Sequence, residues 1–85
     1  LGNFEEALRL AEEAAVLAPS EAAVAFDKAV VQALAGRPRN AIETLREAIE
    51  HGYGISEIRE DDDLDSLREL PEFQALLEMP HIPDR

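Results

Sequence analysis

GNFEEALRLAEEAAVLAP (residues 2–19) and GRPRNAIETLREAIEHGY (residues 36–53) carry one pattern twice. Gly2, Ala7 and Ala14 return as Gly36, Ala41 and Ala48, each 34 positions later (36 − 2, 41 − 7, 48 − 14). Leu8 matches Ile42 as a large apolar residue, and Ala15 matches Ile49 more loosely. Small residues at fixed points let two helices approach closely. A period of about 34 residues is the length of one helix-turn-helix unit. The offset therefore predicts an all-α chain built from helical hairpins.

Working outward, the local signals mark each element. Asn3 followed by Glu6 forms a loose capping box at a helix start. Phe4, Leu8, Ala11 and Ala15 then make one apolar stripe, with Glu5, Glu6, Glu12 and Glu13 off it. Pro19 ends this first helix near residue 17. Ser20 is the expected cap of a second helix that runs over 22–35 and stops at Gly36. Pro38 suits the first turn of a third, whose stripe is Ala41, Ile42, Leu45, Ala48 and Ile49. His51-Gly52 closes it, with Gly52 able to turn left-handed.

Beyond Gly54 the elements shorten. Ser56 is the expected cap of a brief helix through Ile58. Asp61-Asp62-Asp63-Leu64-Asp65 reads as an acidic turn anchored by Leu64 and Leu67. Pro71 starts a last helix with Phe73, Leu76 and Leu77 on one side, and the tail 80–85 is expected to fray. Tyr53 is expected at the junction between the helical pair and these terminal elements. Exposed pairs such as Glu5/Arg9 and Glu43 and Glu47 around Arg46 add about 0.2–0.5 kcal/mol each.

The chain has 85 residues, one small domain with a modest core. Its net charge is −11, from 19 acids against 8 bases, which repels phosphate backbones and anionic membranes. There is no cysteine, hence no disulfide or thiolate chemistry. No apolar run is long enough to span a bilayer, and no targeting signal is visible, so a cytoplasmic setting is expected. The opening Leu-Gly-Asn, without Met, suggests a piece of a longer protein or a processed product.

Taken together, the matched small residues Ala29, Ala41 and Ala48 and the inter-repeat Pro19 resemble a tetratricopeptide array. AIEHGY, followed by IREDDDLDSLRELPEFQALL, resembles the cap that ends such arrays. The resemblance covers residues 1–79. It implies tetratricopeptide-like antiparallel helical hairpins, an α-solenoid fragment with short C-terminal capping helices. Residues 2–19 would be the second helix of a partial repeat, 22–53 a full repeat and 55–79 the cap. Lys28, Gln32 and Ala25 depart from the bulky apolar residues the family places at those positions. The residues that clamp a terminal carboxylate in chaperone-binding relatives are missing, which disfavours acidic chaperone tails.

The stripe of the 22–35 helix is Phe26, Val30 and Leu34. In the family register it faces the concave groove where partners bind. By default an apolar stripe is core. Both readings stand at this point. The missing first half-repeat leaves the Phe4/Leu8/Ala11 stripe without a neighbour. More chain before residue 1, or self-association through a Phe4/Leu8 face, is therefore expected.

Site chemistry is sparse. Asp61-x-Asp63-x-Asp65 with Glu72 twelfth imitates a calcium loop. Ser66 replaces its glycine, Arg68 its apolar eighth residue, and Pro71 breaks the far end, so a solvated acidic turn is expected and no metal. His51 and His81 lack a second ligand at metal spacing. Ser20, Ser56 and Ser66 carry no nucleophile signature. The carboxylate pairs read as exposed rather than as an acid–base couple. No cofactor, no catalytic residue and no enzyme activity are expected. The favoured function is a protein–protein interaction module, with Phe26, Val30 and Leu34 as apolar anchors and Arg37 and Arg39 orienting an acidic segment. The alternative is a regulatory or oligomerisation tail of a larger enzyme such as a bacterial kinase or cyclase.

Overall fold

A computed structural model describes residues 4–78. Gly2, the Asn3 cap, His81 and the 80–85 tail lie outside the described residues. Within them every element is helical: α1 (Phe4–Leu17), α2 (Ala22–Leu34), α3 (Pro38–Glu50), α4 (Ile55–Glu60), a 3-10 turn (Asp62–Leu67) and α5 (Pro71–Leu77). No described helix is long and apolar enough to cross a membrane.

Glycine sets the two turns that organise the chain. Gly36 (φ +80°) and Gly52 (φ +109°) are left-handed, a conformation an L side chain adopts only under strain. After α2, Gly36 N–H donates to Ala33 O (3.1 Å) and Arg37 N–H to Gln32 O (2.9 Å). After α3, Gly52 N–H donates to Ile49 O and Tyr53 N–H to Ala48 O, both 2.9 Å. Each pair of bonds is a Schellman closure that satisfies otherwise orphaned helix carbonyls. Pro38 and Pro71 begin α3 and α5, where a missing N–H is harmless. Two expected caps are corrected. Glu21 precedes α2 and Gly54 precedes α4, neither with a side-chain cap bond; Ser20 stays outside α2 and Ser56 falls inside α4.

One contiguous core joins α2 to the C-terminal elements. It contains Phe26, Ala29 and Ala33 of α2, and Ala41, Ile42, Leu45, Ala48 and Ile49 of α3. Ile58, Leu64, Leu67, Phe73 and Leu76 close it from below. Ala29, Ala41 and Ala48 have no exposed surface, so α2 and α3 meet at close range. Burying a large apolar side chain contributes about 1.5–3 kcal/mol, and the short elements supply Leu64, Leu67 and Phe73 to that end.

α1 stands apart from this cluster. It packs chiefly on α2, and Leu8 is its one buried residue. Leu8 is thus corrected from an exposed self-association face to an internal contact, whereas Phe4 beside it remains 43% exposed. The ion pairs differ from expectation too. Arg9 reaches Glu6 (3.3 Å) and Glu13 (3.6 Å) rather than Glu5, and Arg46 has no ion pair among the described residues.

Candidate functional site

The expected anchors do not share one surface. Phe26 is buried, and its ring stacks on Tyr53 with centroids 4.3 Å apart and planes 8° from parallel. Val30 is half-buried against the core, while Leu34 is exposed. Arg37 and Arg39 are exposed at the start of α3. The stripe therefore runs from core to solvent along one helix.

Tyr53 owes its place to the turn before it. Gly52 reverses the chain, and Tyr53 at the next position lands over Phe26. Partial burial pushes the Tyr53 phenol above its ordinary value, and the carboxylates of Glu57, Asp61 and Asp27 push it the same way. The ring thus sits at the junction of α2, α3 and α4, with its hydroxyl end in negative potential.

A polar pair lies inside the α2–α3 contact. The Thr44 hydroxyl donates to Gln32 Oε1 at 2.7 Å, with Asn40 O also in reach at 2.9 Å. Both side chains are buried. Gln32, out of place as an apolar substitute, is therefore matched to a partner twelve residues on. A buried amide without one would cost about 1–3 kcal/mol.

The acidic run is a structural joint. Asp61 Oδ1 accepts from Asp63 N–H (2.8 Å) and so caps the 3-10 turn. Asp65 Oδ1 accepts from Arg68 Nε (2.7 Å). Arg68 also donates to Arg59 O (2.7 Å) and Asp61 O (2.6 Å), closing the end of α4, while its own carbonyl accepts from Gln74. Arg59 in turn donates to Leu77 O at the end of α5 (3.3 Å). Two guanidiniums thus tie α4, the 3-10 turn and α5 together. Sequence reading missed this joint, although Arg68, the residue least suited to a calcium loop, was its one signal. Among the described residues no three or more His, Cys, Asp or Glu side chains gather as a metal could require.

Among the described residues, three surface grooves stand out. One of about 430 Å³ lies along α1 between Arg9, Glu12, Glu13, Val16 and Leu17. A second, about 340 Å³, opens where α1, α2 and α3 diverge, beside Val16, Pro19, Lys28 and Glu47. The third, about 190 Å³, is bordered by Arg39, Ile42, Glu43, Arg46 and Glu72. Phe26, Val30 and Leu34 line none of the three. Among the described residues the most exposed large apolar side chains are instead on α1: Leu10 at 53%, Val16 at 76% and Leu17 at 85%.

A family model described as "A/B hydrolase-like, N-terminal domain" matches residues 2–83. No curated protein and no solved structure matches the chain. The match overturns the tetratricopeptide identification, and with it the groove-binding interaction module. Part of a larger enzyme, the alternative function, agrees better, with a hydrolase-like setting in place of a kinase or cyclase. The physical reason for the error is visible in α1 and α3. Ala41 and Ala48 are fully buried, but their counterparts Ala7 and Ala14 are half-buried and exposed. Small residues at helical spacing recur wherever helices pack closely, so the offset alone does not make two copies equivalent.

Proposed function

This chain belongs to the A/B hydrolase-like, N-terminal domain family, and from that premise we propose that it is the helical N-terminal part of a larger hydrolase-like enzyme. Its role is to pack against the hydrolase domain, and catalysis belongs to that domain. The observation that carries this is the extent of the match, residues 2–83 of an 85-residue chain. The chemistry on the page supports it. Ser20, Ser56 and Ser66 are exposed and sit on three separate elements, the α1–α2 turn, α4 and the 3-10 turn, and His51 is exposed at the end of α3. A nucleophile needs a base within hydrogen-bond reach, and no hydrogen bond joins any of these serines to His51.

Within this domain α1, α2 and α3 form successive hairpins joined by short turns at 18–21 and 35–37. The packing of α1 on α2 and α2 on α3 supports that arrangement. α4, the 3-10 turn and α5 then close the open end of the α2–α3 pair. The strong negative charge disfavours nucleic acid and anionic membrane as partners.

The test compares the 85-residue chain with the full parent protein on p-nitrophenyl acetate and butyrate. Turnover is expected from the parent alone. Turnover by the isolated chain, abolished by a serine substitution, would contradict the assignment of catalysis to the other domain.

A further inference from the structure

α1 carries a second apolar edge. Ala7, Leu10, Ala14 and Leu17 advance by three, four and three residues, the spacing of a helix–helix seam. The inner edge, Leu8 with the half-buried Ala11 and Ala15, already faces α2. On the outer edge Leu10 and Leu17 are 53% and 85% exposed, Ala14 is exposed and Ala7 half-buried. Alternating Ala and Leu presents holes and knobs to a helix of similar pattern. A helix with apolar residues on two sides belongs between two layers, and the described fold supplies one of them.

Resting on the hydrolase-like reading above, we propose that the Ala7/Leu10/Ala14/Leu17 edge is the face by which this domain docks on the hydrolase domain. Its occupant is a surface helix of that domain with an apolar seam and flanking lysines. Charge selects this occupant. Glu6 and Glu13 border the seam seven residues apart, and Glu5 and Glu12 lie behind them. Arg9, bonded to both Glu6 and Glu13, is the one cation on α1. A second copy docked antiparallel through the same edge would set Glu6 and Glu13 against Glu13 and Glu6. Like charges across such a seam are destabilising. A basic flank reverses the sign. The small residues let the two backbones approach, and the acids fix which helix is accepted.

The experiment uses the full parent protein and a zero-length carbodiimide, which joins carboxylates to lysine amines in direct contact. Cross-links are mapped by mass spectrometry in the wild type, in Leu10→Glu/Leu17→Glu and in Val16→Glu. Val16 is exposed on a different side of α1, so its variant controls for added charge. Cross-links from Glu6 or Glu13 to the hydrolase domain are expected in the wild type and in Val16→Glu, and a loss of at least tenfold in the double variant. Amide exchange over α1 should rise in the same variant only. Cross-links running to the hydrolase domain from α3 or α5, and none from α1, would overturn the assigned face and leave the domain reading standing. Absence of any cross-link between residues 4–78 and the hydrolase domain would overturn both. Intermolecular Glu6 or Glu13 links between two parent molecules, lost on dilution, would replace the proposed occupant with a second copy.

Discussion

α1 and α3 are written in the same pattern yet live in different environments. Leu8 and Ile42 are both buried, at 5% and 4% exposure. Elsewhere the correspondence fails. Ala41 and Ala48 are sealed between helices, whereas Ala14 faces solvent. α3 has α2 on one side and the 3-10 turn and α5 on the other, but α1 has only α2 as its main neighbour. Identical spacing specifies which residues share a face. It does not specify how many faces will find a partner. That second quantity is set by what the rest of the chain brings up, and here the C-terminal elements come to α3.

The largest expected effect breaks the comparison at its strong end. Leu45 of α3 is fully buried, so Leu45→Ala should remove about 2–5 kcal/mol. That is a large share of the roughly 5–15 kcal/mol that holds a small domain together. Thermal melting by circular dichroism should show a drastically lowered midpoint or no cooperative transition. A loss under about 1 kcal/mol would mean α3 is no better packed than α1.

The C-terminal joint comes next. Arg68→Ala removes the three side-chain bonds that tie the end of the 3-10 turn to its own Asp65 and to the end of α4, and a loss of about 1–3 kcal/mol in urea unfolding is expected. Arg68→Lys should restore only part of it, because a lysine cannot span three acceptors in one plane. Inside the α2–α3 contact, Thr44→Val strands the Gln32 amide and should cost about 1–3 kcal/mol, while Gln32→Leu/Thr44→Val together should cost clearly less. Equal losses in single and double variants would show that the pair is not coupled.

Much of this was legible in the chain itself, and the limits follow from reach. Gly36, Pro38, Gly52 and Pro71 punctuate the chain through their own backbone preferences, so the helix boundaries they set were readable locally. Leu64, Leu67 and Phe73 stood out as apolar residues in polar surroundings, and they are core. The Ser20 and Ser56 caps were misjudged because a cap depends on where the following helix begins to turn, and several starts competed. Whether Phe26 faced a groove or the core turned on the rotation of α2. That rotation is set by Tyr53 and Thr44, far along the chain. Arg68 was unreadable as a clamp because two of its three acceptors are backbone carbonyls, which every residue has. On α1, the inner and outer edges are only about a hundred degrees apart, so Leu10 and Leu17 blurred into one amphipathic pattern.

Smaller effects sharpen the same contrast. The Tyr53 phenol is held above the value near 10.0 that it would have unfolded. Folding therefore favours its protonated form. That contribution is complete below about pH 10 and is lost as pH rises through the folded value. An alkaline unfolding curve should fall in that window, and Tyr53→Phe should flatten it; an unchanged curve would separate the ring's stacking from its ionisation. The least effect belongs to α1's outer edge. In the 85-residue chain, Leu17→Ala should shift stability by no more than about 0.5 kcal/mol, since little is buried there.

Amide hydrogen exchange on the 85-residue chain, read helix by helix, tests the central contrast most directly. α3 and α2 should exchange only through global unfolding, and α1 through local opening at a much lower free energy. Equal protection of α1 and α3 would contradict the account, because two helices of the same pattern would then be equally well covered.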